Sequence, residues 1–307
     1  MSNNKIALSF DIEDWYHTPL ITGSPFAKFP TTADFYKAWT GEYDFITRPT
    51  LRILDLLERH KIRATFFMLG ETLEKYPEIV KALQNTDHEI GCHGYNHHIA
   101  IDPTTKEQIV GTELWKEEVS SAKKLLENTF SRDVKGYRAP GAYFGNWMVS
   151  ELRDMGFNYD SSIAYNSFYN KTNVKLKDIP SHPYWISSTD LSVNQEDKTI
   201  VELPWSNFKF GGLIFPVGGA FFFRLLGLSY FGHALRKNLK TGDTMFYIHP
   251  YDLSRKKMPM SNFKHRPFFW INQGIKAERR LEKLMDKFQD QFTTCEAVCN
   301  KFLNDGA

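Results

Sequence analysis

The chain has 307 residues, 42% of them hydrophobic and 15% aromatic, enough to bury the core of one large α/β domain. Its net charge is +2 with no long basic run, so nucleic acid is not an expected partner. Three cysteines, Cys92, Cys295 and Cys299, are too few for a disulfide framework and suit a reducing compartment.

Met1-Ser-Asn-Asn-Lys5 leads directly into a strand-like segment, without the basic start and apolar run of a signal peptide. No window reaches the roughly 20 uninterrupted apolar residues of a membrane span. The nearest approach, residues 210–235, is broken by Pro216, Arg224 and His233. The expected address is cytoplasmic, with peripheral membrane or lipid-carrier contact through 210–235 kept open.

Ile6, Leu8 and Phe10 alternate with smaller or polar residues, predicting a strand that ends at Asp11, with Glu13, Asp14 and Trp15 just beyond. Residues 18–47, interrupted by Pro19, Pro25 and Pro30, read as a loop long enough to act as a lid. Pro49 suits the first position of a helix whose apolar face would be Leu51, Leu54 and Leu56 or Leu57. Ile62–Leu69 is a compact apolar run that fits a buried parallel strand, Pro77 opens a helix, and Glu89–Cys92 is the next strand. His93 and His97 stand four residues apart, so on a helical turn both imidazoles would leave the same face and suit one divalent metal.

The longest predicted helix covers 105–130, with Trp115, Val119, Ala122 and Leu126 on one side. Val134–Tyr137 reads as a strand running into Arg138-Ala-Pro-Gly-Ala-Tyr143, and Phe157–Asp160 as another after a short helix with Val149 and Leu152. Residues 161–192 are irregular and polar, and Ile200–Leu203 leads into Pro204-Trp205. Thr244–Ile248 is a strand ending at His249, and the last long helix carries Leu281, Leu284, Met285 and Phe288. Regular alternation of strand and helix defines the α/β class with a parallel sheet. No repeat or linker divides the chain, so 1–307 reads as a single domain.

Four strand ends therefore carry polar groups: Asp11 with Glu13 and Asp14, His93 with His97, Arg138, and His249. Such ends converge on one face of a parallel sheet or barrel. Each has a plainer reading alone: a solvated acidic turn, a surface ion pair, a satisfied core histidine. Their joint occurrence favours a site. Cys92 reads as a small buried thiol, and Cys295 and Cys299 as core.

These segments resemble the motifs of the polysaccharide deacetylase family, the group sharing a NodB homology domain. Ser9-Phe-Asp11-Ile-Glu13-Asp14-Trp15 resembles its first motif, His93-Gly-Tyr-Asn-His97 the metal-binding second, Arg138-Ala-Pro140 the third and Ile248-His249 the last. Arg63-Ala-Thr-Phe-Phe67, Tyr159-Asp-Ser-Ser-Ile163 and His249-Pro-Tyr251, with the closing leucine-rich helix, resemble the subgroup found in exopolysaccharide loci. The resemblance implies a distorted (β/α) barrel of about seven strands, NodB-like. It also implies metal-dependent removal of the N-acetyl group from an N-acetylhexosamine unit. The unit would belong to a surface polysaccharide or to its nucleotide- or lipid-linked precursor.

In that chemistry one divalent ion, zinc or alternatively Co, Ni, Mn or Fe, lowers the pKa of its water to about 7 and polarises the acetyl carbonyl. Asp11 would be the base, Arg138 would hold it through a bidentate pair, and His249 would protonate the departing amine. The N–H of Gly141 or Ala142, after Pro140, would complete the oxyanion site. The metal ligands would be His93, His97 and a carboxylate. The family's usual first motif has two adjacent aspartates, and Ile12 fills the second place here. Positions 11 and 13 share a strand face, which favours Glu13, with Asp14 the alternative ligand. Trp15, Pro140, Gly141, Tyr143, Asp160 and Trp205 are expected around the sugar. Two rival readings are a formamide or cyclic-amide hydrolase on the same scaffold, and a carbohydrate-binding protein whose catalysis has lapsed, supported by Ile12 alone.

Overall fold

A computed structural model describes residues 3–196, 198–259 and 270–305. Its strands are β1 (Ile6–Ile12), β2 (Thr65–Met68), β3 (Glu89–Cys92), β4 (Gly136–Tyr137), β5 (Tyr159–Asp160), β6 (Tyr184–Trp185), β7 (Val201–Glu202), β8 (Asn207–Phe210), β9 (Leu213–Pro216), β10 (Thr244–Ile248) and β11 (Phe292–Thr293). The main sheet runs β10-β1-β2-β3-β4-β5-β7-β6, with β11 added beside β1, and β8–β9 form a separate hairpin. Neighbours in the main sheet are parallel except β6 with β7. The sheet curls into a half-barrel, bringing Ser206, just past β7, against β10. There the Ser206 hydroxyl accepts the Met245 N–H at 3.0 Å and donates to the Met245 carbonyl. The α/β half-barrel matches the class and architecture expected from the sequence.

Strand alternation separates two apolar layers. Ile6, Leu8, Phe10, Phe66, Met68, Ile90, Cys92, Phe246 and Ile248 face outward and pack under the helices. Ala7, Phe67, Tyr159, Val201, Leu203, Met245 and Tyr247 fill the lumen together with Cys295, Val298 and Cys299. Those last three come from helix Cys295–Asp305, which plugs the lumen. Room for the large rings comes from glycine: a Cβ at Gly91 would stand 2.5 Å from the Phe67 ring, and one at Gly136 2.0 Å from Tyr159.

Several boundaries differ from expectation. Helix Thr47–His60 starts two residues before Pro49 and buries Thr50, Ile53, Leu56 and Leu57, while Leu51 is exposed. The apolar stripe is i, i+3, i+4 from Ile53, which leaves Leu51 off it while Leu54 packs half-buried at its edge. The long helix spans Thr112–Phe130, not 105–130, because the Asp102 carboxylate accepts the N–H groups of Thr104 and Thr105 and holds that stretch in a turn. Within 18–47, helix Thr32–Ala38 seats Phe35 on Trp15 and Tyr16, so this segment is packed rather than loose. Residues 210–235 form the end of the β8–β9 hairpin and most of helix Ala220–Asn238, broken at Gly227, where φ is 77°. Among the described residues no helix is long and apolar enough to cross a membrane.

Candidate active site

The alternation that fills the lumen also builds the site at the C-terminal mouth. Ala7, Ser9, Asp11 and Glu13 follow one another on the inner face of β1, and His93, Arg138 and His249 are the next inward positions after Gly91, Gly136 and Tyr247. Asp14 has the opposite parity. Its carboxylate accepts the N–H of Trp15 at 2.7 Å, the N–H of Phe45 at 2.8 Å and the Tyr76 hydroxyl at 2.9 Å, and burial pushes its pKa well up. Asp14 is thus turned away from the histidines, and the carboxylate that meets them is that of Glu13.

One donor atom each from Glu13, His93 and His97 lie within 4.8 Å of one another, all three residues being buried. His93 Nδ1 sits 2.8 Å from the Arg138 carbonyl, which fixes the ring proton there and leaves a lone pair on Nε2. The Gly141 N–H donates to His97 Nε2 at 3.2 Å, placing a lone pair on that nitrogen also. Glu13 Oε2, buried and without a hydrogen-bond donor, lies against His97 Nε2 and 3.7 Å from His93 Nε2. Three lone-pair atoms thus converge, none bearing a proton of its own, an arrangement that a divalent cation would satisfy. Burial works against a charge on Glu13, but His97 and His249 hold its carboxyl well below the usual range, and burial keeps the His97 pKa low. Ionised carboxylate with neutral imidazole is the state a metal requires. The two histidines do not share a helical face as expected. They converge through a loop with left-handed backbone at Gly94 (φ 82°) and His97 (φ 62°).

Arg138 Nη1 donates to Asp11 Oδ1 at 2.5 Å and to Ser9 Oγ at 2.9 Å. Its Nε reaches the Ser161 carbonyl and its Nη2 the Ser161 hydroxyl, both at 3.0 Å. The Arg138–Asp11 contact is therefore a single hydrogen bond, not the expected bidentate pair, because the rest of the guanidinium is used by Ser9 of β1 and by Ser161 just past β5. On the far side, His249 Nε2 stands 3.1 Å from Glu13 Oε1 and 3.8 Å from Asp11 Oδ2. Its Nδ1 is 3.1 Å from Asp252 Oδ2, and Arg224 Nε is 2.7 Å from Asp252 Oδ1. Burial opposes protonation of His249, yet the charges of Glu13 and Asp252 and the Asp252 hydrogen bond raise its pKa.

Asp252 and Arg224 were not anticipated. Asp252 follows His249 at the i, i+3 spacing of a capping pair, a usable signal, whereas Arg224 in the sequence is only an interruption of an apolar run.

Above this cluster opens a cavity of about 790 Å³, walled by Tyr143, Tyr169, Lys171, Trp205, Phe221 and Phe222. Gly141, Tyr143 and Trp205 line it as expected of sugar-site residues, and three other expected residues do not. Trp15 is packed among Phe35, Trp39 and Phe45. Pro140 is buried beside Gly94. Asp160 is fully buried, receives the Ser162 hydroxyl at 2.7 Å, and is pushed by burial to a pKa of about 6. Of the two expected oxyanion donors, the Ala142 N–H is taken by the Ala139 carbonyl at 2.8 Å, and that of Gly141 points into the site at His97 Nε2, 3.2 Å away.

A curled parallel sheet with three histidines, two carboxylates and a guanidinium at its C-terminal mouth defines an α/β half-barrel whose site is built from strand ends. Two family models match the chain: Polysaccharide deacetylase over residues 41–159, and Domain of unknown function (DUF3473) over 167–300. Residues 41–159 are thus similar to the polysaccharide deacetylase family. The chain is 30% identical over 117 residues to a peptidoglycan deacetylase of Helicobacter pylori, covering 38% of each chain. It is 54% identical over 48 residues to a peptidoglycan-N-acetylglucosamine deacetylase of Bacillus cereus, covering 16% of this chain and 18% of that one. The matches thus span less than half the length of either relative. A crystal structure assigned as a polysaccharide deacetylase from Mycobacterium smegmatis shares the fold, with a TM-score of 0.65 at 19% identity over 99% of this chain and 91% of the other.

Proposed function

We propose that the protein is a metal-dependent carbohydrate N-deacetylase acting on an N-acetylhexosamine unit of a surface polysaccharide or its precursor. The observation that carries this reading is the convergence of Glu13 Oε2, His93 Nε2 and His97 Nε2 as buried lone-pair donors at the floor of a cavity large enough for sugar units. The names of the curated relatives, peptidoglycan deacetylases among them, support the choice of reaction.

Glu13, His93 and His97 would hold one divalent ion, zinc being the first candidate among metals such ligands accept. Bound there, the ion supplies Lewis acidity to the water and the acetyl carbonyl. Asp11, oriented by Arg138, takes the proton of the attacking water. The Gly141 N–H, which faces His97 Nε2 at 3.2 Å, would turn to the developing oxyanion once that nitrogen holds the ion. His249 Nε2, held by Asp252 at its other nitrogen, gives a proton to the amine as the C–N bond breaks, leaving acetate and the free amino sugar. Residues 1–307 are read as one catalytic unit, since His249 and Asp252 close on Glu13 from the second matched segment.

Metal analysis and acetate release from N-acetylated oligosaccharides test this. The native chain is expected to carry about one equivalent of divalent metal and to lose activity to a chelator. His97→Ala should lose the metal, and Asp11→Asn should keep it while losing turnover. A chain that binds no metal, or an Asp11→Asn variant with unchanged turnover, sinks the reading.

Exposed Phe210 and Leu213 at the β8–β9 turn, beside Lys209, favour a lipid-linked precursor presented at a membrane surface. Flotation with anionic liposomes should recover the native chain and not a Phe210→Ser/Leu213→Ser variant; native protein left at the bottom of the gradient removes the membrane contact.

A further inference from the structure

The cavity wall carries a cation, Lys171, that the proposed chemistry does not use. Lys171 lies in the irregular segment after β5, within the stretch matched by the domain of unknown function. Its backbone is fixed, since the Lys171 carbonyl accepts the Phe144 N–H at 3.2 Å and Thr172 bridges to Phe144. The side chain enters the cavity wall and Nζ donates to the Gly141 carbonyl at 2.8 Å. Around Nζ stand the rings of Tyr143 and Tyr169 at 5.4 Å and Trp205 at 5.9 Å. Among the described residues no carboxylate pairs with it.

The cavity's own acids have nearer partners than Lys171: Asp11 has Arg138, Glu13 has His249 at 3.1 Å, and Asp252 has Arg224 and His249. An ammonium has three donors, and one is spent on Gly141, so two remain for whatever fills the cavity. Burial lowers the Lys171 pKa to about 8 against the opposing charge of Glu13, which acts on it without forming an ion pair. An aromatic cage compensates a cation only partly, whereas an anionic oxygen would give it a charge-assisted hydrogen bond.

We propose that Lys171 is the recognition point for an anionic group, carboxylate or phosphate, carried by the sugar that enters this cavity. The inference deepens the deacetylase reading by naming its substrate class, acidic N-acetylated sugars rather than neutral ones. It also gives the second matched segment a part in specificity.

Binding tests it without requiring turnover. Titration calorimetry of the full chain at low salt would compare neutral chitotetraose, a tetrasaccharide of N-acetylhexosaminuronic acid, and N-acetylglucosamine 1-phosphate. The native protein is expected to bind an anionic probe at least about tenfold tighter than chitotetraose, a difference that salt reduces. Lys171→Met should erase the difference and leave chitotetraose binding unchanged, and Lys171→Arg should retain most of it. The better of the two anionic probes identifies the group. No anionic preference in the native chain overturns the proposal. So does an equal loss for neutral and anionic probes in Lys171→Met, which would make Lys171 a clamp for the Gly141 loop. Acetate release is followed separately: Lys171-dependent anion binding without any release would sink the deacetylase reading alone.

Discussion

His249 is set between two carboxylates that do different things to it. Asp252 holds Nδ1 at 3.1 Å and leaves Nε2 directed at Glu13 and the cavity floor. If His249 is the proton donor to the leaving amine, His249→Ala should lower kcat by about 10²- to 10⁴-fold with metal content unchanged. Asp252→Asn keeps the shape but removes the charge that orients the ring, so a smaller loss in kcat is expected, with little change in KM. Equal kcat in the native chain and His249→Ala would remove the acid role. Arg224 completes this chain of contacts at 2.7 Å from Asp252, so a residue from the middle of an apolar stretch fixes a group at the cavity floor.

At the scale of elements, Glu89 joins four of them. Sitting at the start of β3, it accepts the Thr65 hydroxyl of β2 at 2.5 Å, the Tyr159 hydroxyl of β5, and the Glu296 N–H at the start of helix Cys295–Asp305 at 2.9 Å. Burial outweighs these donors and raises its pKa from 4.5 to about 7. The folded chain therefore binds this proton more tightly than the unfolded chain, and stability contributed by Glu89 falls as pH rises from about 4.5 to about 7. Thermal melts at pH 5 and pH 8 should show that loss in the native protein and a flatter profile in Glu89→Gln, whose amide stays neutral while the hydroxyls turn to accommodate it. Parallel slopes for both proteins would refute the assignment. The same scale shows what can be read without coordinates. Period-two alternation places Asp11, Glu13, His93, Arg138 and His249 on one inner face, and that period is visible in the residues themselves. The path of irregular backbone is not, so the left-handed loop joining His93 to His97, and Tyr169 and Lys171 in the polar stretch after β5, carried no periodic signal. Trp15 was misplaced because an aromatic beside an acidic motif suits the core as well as a sugar.

For the molecule as a whole, the two matched segments share one sheet and one cavity. The first supplies β2, β3 and β4 with the paired histidines and Arg138, and the second supplies β7, β10 and the His249–Asp252–Arg224 chain. Arg138 sits where they meet, bonded to Ser9 of β1 and to Ser161 just past β5, with its guanidinium 4.1 Å from the Phe67 ring and 5.2 Å from that of Tyr247. Its surroundings therefore come from both segments, and neither contains a complete site.

The sealing of the two apolar layers has a further use. Cys92 lies under the helices, and Cys295 and Cys299 in the lumen, all three free and buried. Burial pushes each thiol up to a pKa of about 12, so the native chain offers almost no thiolate to an alkylating reagent. Iodoacetamide should leave the folded protein unmodified and mark it only on opening, which makes the cysteines internal clocks for separate regions. Mass spectrometry under mild denaturant would then report whether the C-terminal plug lets go first, giving Cys295 and Cys299 adducts ahead of Cys92, or whether both layers breach together.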